Sequence, residues 1–312
     1  MKDKQRLHKD TFTVTEEDTK GERVDVFLSQ KLNLISRSQL KARITDIKVN
    51  GRDVKISKKI LPGDIIEVSY SDPVPLSAEP QEIPFALLYE DDNVIVINKP
   101  SGLVVHPAPG TRDGTLVNGL LYRFRDMERV FEEESLRPGI VHRLDKDTSG
   151  VLIAAKNPHT HEFLARQFRK KQTRKTYVLI VKNRPNPLKG IIAANIRRDP
   201  NRRKRFIHCR TGGKTAVTEY KTLMSRDDYS FVTAKPQTGR THQLRVHFSS
   251  IGCPILGDPV YSRKDKDYPD ARLMLHAYTL EIYIPGNPEK QRFRAPLPED
   301  MKLMLTAISK NQ

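Results

Sequence analysis

Residues 137–157, RPGIVHRLDKDTSGVLIAAKN, place an aspartate in a turn-rich segment that leads directly into an apolar run. VLIAA has the composition of a buried strand, whereas the residues from Lys146 to Gly150 have the composition of a turn. Taken alone, Asp145 is most simply explained as an Asx-turn or a helix cap. A carboxylate pair with Asp147 for glycosidic hydrolysis is disfavoured, because Asp147 lies within the turn rather than on an extended strand.

The composition points to a polyanionic partner. The 312 residues include 55 Lys and Arg against 38 Asp and Glu, a formal net charge of +17. RNA, DNA and an anionic membrane surface all fit this charge, and the length is enough for two folded domains. No apolar run approaches the roughly 18 residues of a spanning helix. The start MKDKQRLHKD is charged, unlike a signal peptide, so a cytoplasmic protein without a membrane partner is expected.

The cysteine and histidine content does not indicate a metal site. Cys209 and Cys253 are the only cysteines, and neither belongs to a CxxC pair. A disulfide framework and a thiolate zinc site are therefore not expected. His159 and His161 are better explained as the exposed start of a helix than as metal ligands. The sequence also contains no glycine-rich phosphate-binding loop.

The N-terminal region has the pattern of a small domain preceded by a tail. Residues 1–21 are polar and mixed in charge, and they are predicted to form a flexible basic arm. Apolar residues between Val24 and Leu32 fall on one face of a helix. The Asn50–Gly51 dipeptide predicts a tight hairpin, and the PGD turn at residues 62–64 leads into a last strand, IIEVSY.

A second helix is predicted between the first helix and the hairpin. Ser36 and Gln39 form a capping box, and Leu40 and Ile44 would then point inward. Three basic residues would be left on the outer face of this helix, namely Arg37, Lys41 and Arg43.

Residues 73–84 are rich in proline and lack periodicity, so they are predicted to link residues 22–72 to a larger domain, residues 85–312. The larger domain has an apolar strand from Val94 to Ile97, and a helix is predicted to begin after the cap Asn157. Further strands are predicted at KTYVLIV, TAVTEYKTL, YSFVTAKP, HQLRVHF and LEIYIP. This balance indicates an α+β fold built on a large mixed, mainly antiparallel sheet with flanking helices.

Long motifs across the chain resemble one enzyme family. RPGIVHRLDKDTSG resembles the HRLDxxTSG signature of the RluA-type pseudouridine synthases. LYEDDNVIVINKPSGLVVHP, RKTYVLIVKN, GKTAVTEY, TGRTHQLRVHFSSIGCPILGDPVY, LMLHA and FRAPLPEDM agree with the same family. Residues 22–70, with SRSQ, VNG and PGD in order, resemble an S4 RNA-binding domain. Together the resemblance extends from residue 22 to about residue 305.

The resemblance implies the roles of particular residues. In the family the aspartate of HRLD acts on C1′ or the neighbouring sugar carbon of a uridine, the arginine of HQLR keeps that carboxylate ionised, and the tyrosine of KxY packs beneath the base. These residues are Asp145, Arg245 and Tyr177. Because a stacked uridine must be extruded to react, the arginine of HRLD, Arg143, is implied to take its place. The S4 residues implied to bind RNA are Arg37, Lys41 and Arg43.

The resemblance therefore predicts an isomerase that converts specific uridines in structured RNA to pseudouridine by breaking the N1 glycosidic bond and rejoining the base through C5. The expected substrate is 23S large-subunit ribosomal RNA or a pre-ribosomal particle, and the expected state is a monomer without metal or cofactor. The alternative is a ribosome-binding or assembly factor whose catalytic activity is secondary. The intact Asp145, Tyr177 and Arg245 favour the enzyme.

Overall fold

A computed structural model describes residues 7–18, 21–31, 43–71, 79–107, 111, 113–131, 137–202, 205–226 and 228–310 of the chain. The chain divides into two compact units, Met1–Pro75 and Leu76–Gln312. The division falls within the predicted linker. Each unit has its own apolar core.

The first unit is built on a four-stranded antiparallel sheet. In order across the sheet, its strands are β1 (Leu7–Thr13), β4 (Ile65–Ser71), β2 (Ile44–Val49) and β3 (Arg52–Asp53). Helix α1 (Val24–Lys31) packs on this sheet, with Phe27 and Ile66 in a shared core. Asn50 and Gly51 have positive φ angles of 54° and 74°, as the predicted tight hairpin requires.

Two local predictions for the first unit differ from the structure. Residues 7–13, predicted as part of a flexible arm, form β1 and pair with β4 along their whole length. Backbone hydrogen bonds supply this pairing, so the strand does not need an apolar composition. Ile44, predicted to point inward from a second helix, is the first residue of β2. Other residues predicted for that helix lie outside the described part of the chain, namely Ser36, Arg37, Gln39, Leu40 and Lys41.

The second unit is built on a ten-stranded mixed sheet with flanking helices, which confirms the predicted fold class. In order across the sheet, the strands are β10 (Phe206–Cys209), β9 (Lys189–Arg198), β11 (Lys214–Arg226), β12 (Tyr229–Pro236), β8 (Arg174–Lys182), β13 (Leu275–Ile282), β7 (Ser149–Ala155), β6 (Val94–Lys99) and β5 (Ala86–Glu90), and β14 (Gln291–Arg294) pairs with β13. Strands β7 and β13 run parallel, and the other neighbours described are antiparallel.

The helices described in the second unit are α2 (Leu116–Arg123), α3 (Asp126–Val130), α4 (Pro158–Arg169), α5 (Gln243–Ser250) and α6 (Glu299–Lys310). Helix α4 begins where the sequence predicts, because the side chain of Asn157 accepts a hydrogen bond from the backbone N–H of Thr160 at 2.9 Å. Among the described residues, no helix is both long and apolar enough to cross a membrane.

Strand β7 is buried on both faces and directly follows the loop of Asp145. All of its residues are buried, with Leu152 and Ala154 in one apolar cluster and Val151 and Ile153 in another. Since alternate residues of a strand point to opposite faces, the two clusters cover the two sides of the sheet. The apolar run of the sequence is therefore a doubly covered strand, and it fixes the end of the Asp145 loop.

Gly150 allows β7 to approach β13 closely. It is paired with Ala277 and has a φ of 117°, which side chains rarely permit. A Cβ atom at this position would overlap the carbonyl oxygen of Ala277. The glycine of the TSG motif is therefore required by the packing beside the Asp145 loop.

The segment HQLRVHF, predicted as a strand, instead forms the start of helix α5. Its apolar residues alternate as in a strand, but every residue from Gln243 to Phe248 is buried. A helix buried on all sides has no polar face, so its sequence does not show the 3.6-residue period. The side chain of Gln243 fixes the beginning of the helix, since it accepts a hydrogen bond from Arg240 N at 3.0 Å and donates one to Val217 O at 2.9 Å.

Candidate active site

A cavity of about 550 Å³ opens beside the loop that carries Asp145. The loop, part of β8 and the segment leading into α5 form its walls. The volume is within the range of small-molecule binding sites. Four residues predicted from the sequence line it, namely Arg143, Asp145, Tyr177 and Arg245. Asp145 and Arg245 meet here although they are 100 positions apart in the sequence.

The segment around Asp145 is anchored by hydrogen bonds on both sides, through backbone carbonyls after it and through a side chain before it. The carbonyl oxygens of the next two residues accept hydrogen bonds from Nζ of Lys99 at 2.9 Å and from Oγ of Ser101 at 2.7 Å. On the other side, Nε2 of His142 accepts a hydrogen bond from the backbone N–H of Ile153 at 3.1 Å. These contacts attach the loop to β6 and β7, so the position of Asp145 is set by the sheet.

Lys99 is a fully buried lysine at the end of β6. Its Nζ donates to the carbonyl oxygens of Pro100 at 2.7 Å, Leu103 at 2.9 Å and Lys146 at 2.9 Å, so each of its three donors has an acceptor. Burial lowers the pKa of Lys99 to about 7, although nearby aspartates act in the opposite direction. Lys99 therefore joins the loop after β6 to the loop of Asp145.

Arg245 lies on helix α5 and contacts two carboxylates. It donates from Nε and Nη2 to both oxygens of Asp258, at 2.7 and 2.8 Å, and from Nη1 to Oδ2 of Asp145 at 3.4 Å. Burial alone would lower the pKa of Arg245, but the hydrogen bonds and charge of Asp258, with the charge of Asp145, raise it. The guanidinium therefore stays charged and forms its stronger pair with Asp258.

Asp258 is a site residue that the sequence analysis did not identify. Its side chain is completely buried, and it also accepts hydrogen bonds from the backbone N–H groups of Val260 at 2.8 Å and Tyr261 at 3.0 Å. The available signal was the acidic residue of GDPVY, which belongs to the same long motif as HQLR. Asp258 holds Arg245 in place at the cavity wall.

Tyr177 forms part of the cavity wall on strand β8. It is paired with Ala234 on β12 and Ala277 on β13, and its ring packs against both large apolar clusters of the sheet. Burial raises the pKa of Tyr177, and the charge of Asp145 raises it further. The phenol therefore remains protonated and offers a rigid aromatic surface close to the carboxylate.

Several cationic side chains also line the cavity. Besides Arg143, they belong to Arg169, Lys171, Lys175 and Arg240. Arg143 is exposed, and the described part of the chain contains no ion pair between it and Asp145 or Asp147. A positive rim of this kind suits a phosphate backbone.

His242 is a second site residue that the sequence analysis missed. It precedes α5 with φ 56° and ψ 20°, in the left-handed region that residues with a side chain rarely occupy. Its Nε2 lies 3.9 Å from Oδ2 of Asp145, and its Nδ1 lies 2.9 Å from the hydroxyl oxygen of Tyr261. The histidine within TGRTHQLR was the available signal.

Arg43 in the first unit is packed on its own sheet. Its Nε donates to the carbonyl oxygen of Ser71 at 2.8 Å, and its guanidinium lies 5.9 Å from the ring centroid of Tyr70. Arg43 is helical, as the sequence predicts, but it is half-buried rather than exposed on the outer face of the helix. Both contacts fasten Arg43 to β4, while its predicted neighbours Arg37 and Lys41 lie outside the described residues.

Known proteins resemble this chain in sequence and in fold. Residues 93–250 match the family model described as RNA pseudouridylate synthase. Ribosomal large subunit pseudouridine synthase D of Borreliella burgdorferi is 44% identical over 306 residues, covering 96% of this chain and 93% of that protein. The protein of the same name from Zymomonas mobilis is 39% identical over 308 residues, covering 95% and 96%. The solved structure of human RNA pseudouridylate synthase domain containing 4 has a TM-score of 0.57 and 27% identity, covering 72% of this chain and 92% of that one.

Proposed function

We propose that this chain, which belongs to the RNA pseudouridylate synthase family, converts uridines of large-subunit ribosomal RNA to pseudouridine at the cavity beside Asp145. As a family member, the chain is an RNA pseudouridine synthase, an isomerase. The observation that carries the assignment of the site is the convergence of Asp145, Tyr177 and Arg245 on one cavity. The names of the two bacterial relatives support the choice of RNA.

The reaction replaces one bond of the uridine by another. The bond between N1 and C1′ breaks, the base turns, and a bond forms between C5 and C1′. A proton leaves C5 and a proton is gained at N1, so the conversion balances without an oxidant or a reductant. In this proposal the ionised carboxylate of Asp145 acts at C1′ or at the adjacent sugar carbon. Arg245 places a positive charge beside that carboxylate, with Nη1 at 3.4 Å from Oδ2.

Tyr177 and Arg143 have separate roles in the proposal. The ring of Tyr177 supports the uracil after it enters the cavity, since aromatic faces stack on bases without reading sequence. Arg143, exposed at the rim, occupies the place that the extruded uridine leaves in the RNA. The remaining cations of the rim contact phosphates.

We further propose that the first unit, as an S4 domain, supplies RNA affinity and that the second unit supplies the chemistry. The basic residues assigned to RNA in the first unit are Arg37, Lys41 and Arg43. The chain is proposed to act as a monomer in the cytoplasm. One chain contains all of the residues assigned to the reaction, which supports the monomer.

Replacement of Asp145 by Asn tests the catalytic assignment. The amide keeps the shape of the side chain but cannot supply a carboxylate, so we expect at most a trace of pseudouridine and nearly unchanged RNA binding. Asp147→Asn is the matched control, because Asp147 does not line the cavity, and it should retain activity. Pseudouridine mapped in ribosomal RNA incubated with each variant decides the outcome. Substantial product from Asp145→Asn contradicts the assignment, and binding without product by the wild type favours an assembly factor.

A chain of residues 76–312 tests the division of labour between the units. It should isomerise a short RNA that carries the target loop, with weaker binding and a shallower loss of affinity as salt rises, because fewer phosphates are neutralised. Affinity is measured across a salt series, and turnover is measured at saturating RNA. Unchanged affinity with an unchanged salt slope contradicts the RNA-binding role of the first unit. A folded but inactive product shows that the first unit contributes to catalysis.

A further inference from the structure

His242 is the last of three residues joined by hydrogen bonds, and the first of them lies on strand β10. The backbone N–H of Phe206, at the start of β10, donates to the hydroxyl oxygen of Tyr261 at 2.8 Å. That hydroxyl lies 2.9 Å from Nδ1 of His242. The imidazole is thus fixed on the side that faces away from Asp145.

We infer the tautomer of the imidazole from this series of hydrogen bonds. The N–H of Phe206 can only donate, so the Tyr261 oxygen accepts there and its own hydrogen remains available. Among the residues that the structure describes, Nδ1 of His242 is the only other hydrogen-bond partner of that hydroxyl. The direction of this 2.9 Å contact depends on the tautomer, and we assign the hydroxyl as its donor. Nδ1 is then an acceptor, and the neutral ring carries its hydrogen on Nε2.

The hydrogen on Nε2 faces the proposed catalytic carboxylate. Nε2 of His242 is 3.9 Å from Oδ2 of Asp145, and Nη1 of Arg245 is 3.4 Å from the same oxygen. Within the described part of the chain, neither hydrogen bond nor ion pair is recorded at Oδ1 of Asp145. The two oxygens of one carboxylate therefore have different surroundings.

We propose that His242 is a positioning residue which, together with Arg245, holds Oδ2 of Asp145 and leaves Oδ1 to react with the ribose. The 3.9 Å separation is longer than a hydrogen bond, and it closes when the RNA excludes water from the cavity. The left-handed backbone of His242 has an energetic cost that such a role accounts for. The inference rests on the proposed function and deepens it.

The charges around His242 are consistent with a neutral ring. Burial lowers its pKa, as do the charges of Arg245 and Arg143, whereas the charges of Asp145 and Asp258 raise it. The net direction is downward, so the ring is neutral at pH 7. A neutral donor orients Asp145 without placing a second full positive charge beside it.

The tautomer can be measured without any activity. Long-range ¹H–¹⁵N correlation spectra of the full chain with labelled histidine report which ring nitrogen carries the hydrogen. We expect His242 as the Nε2–H form at pH 7, and a mixture of tautomers in Tyr261→Phe, because the hydroxyl that fixes Nδ1 is lost. An Nδ1–H form or an imidazolium in the wild type overturns the proposal.

Kinetics separate positioning from a general loss of structure. Tyr261→Phe should lower kcat about tenfold and His242→Phe about tenfold to a hundredfold, with KM for RNA nearly unchanged. His242→Gln, which restores a donor near the position of Nε2, should recover most of the rate. Tyr220→Phe is the matched control, because it also loses a 2.8 Å hydroxyl hydrogen bond, to Pro187 O, but lies outside the cavity. It should retain the wild-type kcat.

The outcomes distinguish this inference from the function on which it rests. If the wild-type protein is active and folded His242→Phe keeps the same kcat, the positioning role is overturned and the proposed function is not. If His242→Phe does not fold, a wild-type kcat in Tyr261→Phe whose His242 no longer holds the Nε2–H form overturns it instead. A wild-type protein that forms no pseudouridine in any ribosomal RNA overturns the proposed function, and the inference with it.

Discussion

Arg245 separates two carboxylates that are held in very different ways. Asp258 is completely buried, uses both oxygens for the guanidinium at 2.7 and 2.8 Å, and accepts two backbone hydrogen bonds in addition. Asp145 is 22% exposed at its side chain and has one long contact with the same guanidinium, at 3.4 Å. The carboxylate of Asp258 therefore has hydrogen-bond donors at both oxygens, whereas that of Asp145 has a weak contact at one oxygen.

The difference indicates how one arginine can be fixed by one carboxylate and still contact a second. A buried ion pair is stable only when its hydrogen-bonding groups are satisfied, and Asp258 meets that condition for Arg245. Because Asp258 fixes the guanidinium, Asp145 does not have to bind it tightly. A carboxylate with the role proposed for Asp145 needs an oxygen without a strong partner, and within the described residues the contacts of Asp145 with Arg245 and His242 involve only Oδ2.

The largest loss of stability is expected from Asp258→Asn, which removes the charge of the more strongly held carboxylate. A buried guanidinium that loses its charged partner should lower the free energy of unfolding by about 3–5 kcal/mol. Asp145→Asn, on the other side, should change it by less than about 1 kcal/mol. Urea unfolding of the two variants measures both values. Equal losses would show that the two carboxylates are not held differently.

Lys99→Met tests whether the backbone beside Asp145 is anchored while its carboxylate is not. Three carbonyl oxygens lose their donor, so we expect a loss of about 2–4 kcal/mol in the free energy of unfolding near pH 7. Turnover should also fall, because the loop of Asp145 loses an attachment to β6. A variant with wild-type stability and turnover would contradict the anchoring role of Lys99.

Lys99→Met should also change how the free energy of unfolding depends on pH. The pKa of Lys99 is lowered from 10.5 to about 7 in the folded protein. Between these values the unfolded chain binds a proton that the folded protein releases, so this group makes stability rise with pH through that window. Lys99→Met should remove this contribution. Urea unfolding at pH 7 and about pH 9.5 checks it, and parallel pH dependence in the variant and the wild type would contradict it.

A smaller loss of stability than in Asp258→Asn is expected from Arg245→Lys, which sharpens the comparison. Lysine keeps the charge but cannot form the two-pronged pair with Asp258 and reach Asp145 at the same time. We expect a loss of about 1–2 kcal/mol in the free energy of unfolding and a decrease of about tenfold to a hundredfold in kcat. A variant with wild-type kcat would show that bridging two carboxylates is not needed for turnover.

Much of the fold could be predicted because its signals are local. The Asn157 cap, the Asn50–Gly51 hairpin and the apolar run of β7 each depend on residues within a few positions of one another. Strand β1 could not be predicted in this way, because its residues are mostly polar and it is held by backbone pairing with β4, more than fifty positions away. Helix α5 was missed because burial on every side removes the periodicity that indicates a helix.

For the candidate site, the sequence by itself determined which chemical groups are available, since motif resemblance identified Asp145, Tyr177 and Arg245 by position. Only the tertiary structure decided how they are held. The partner of Arg245 proved to be chiefly Asp258, and Nε2 of His242 lies 3.9 Å from Oδ2 of Asp145. The physical reason is that side-chain pairing depends on distances of a few ångströms between elements that are distant in sequence, and packing of the sheet and helix α5 sets those distances.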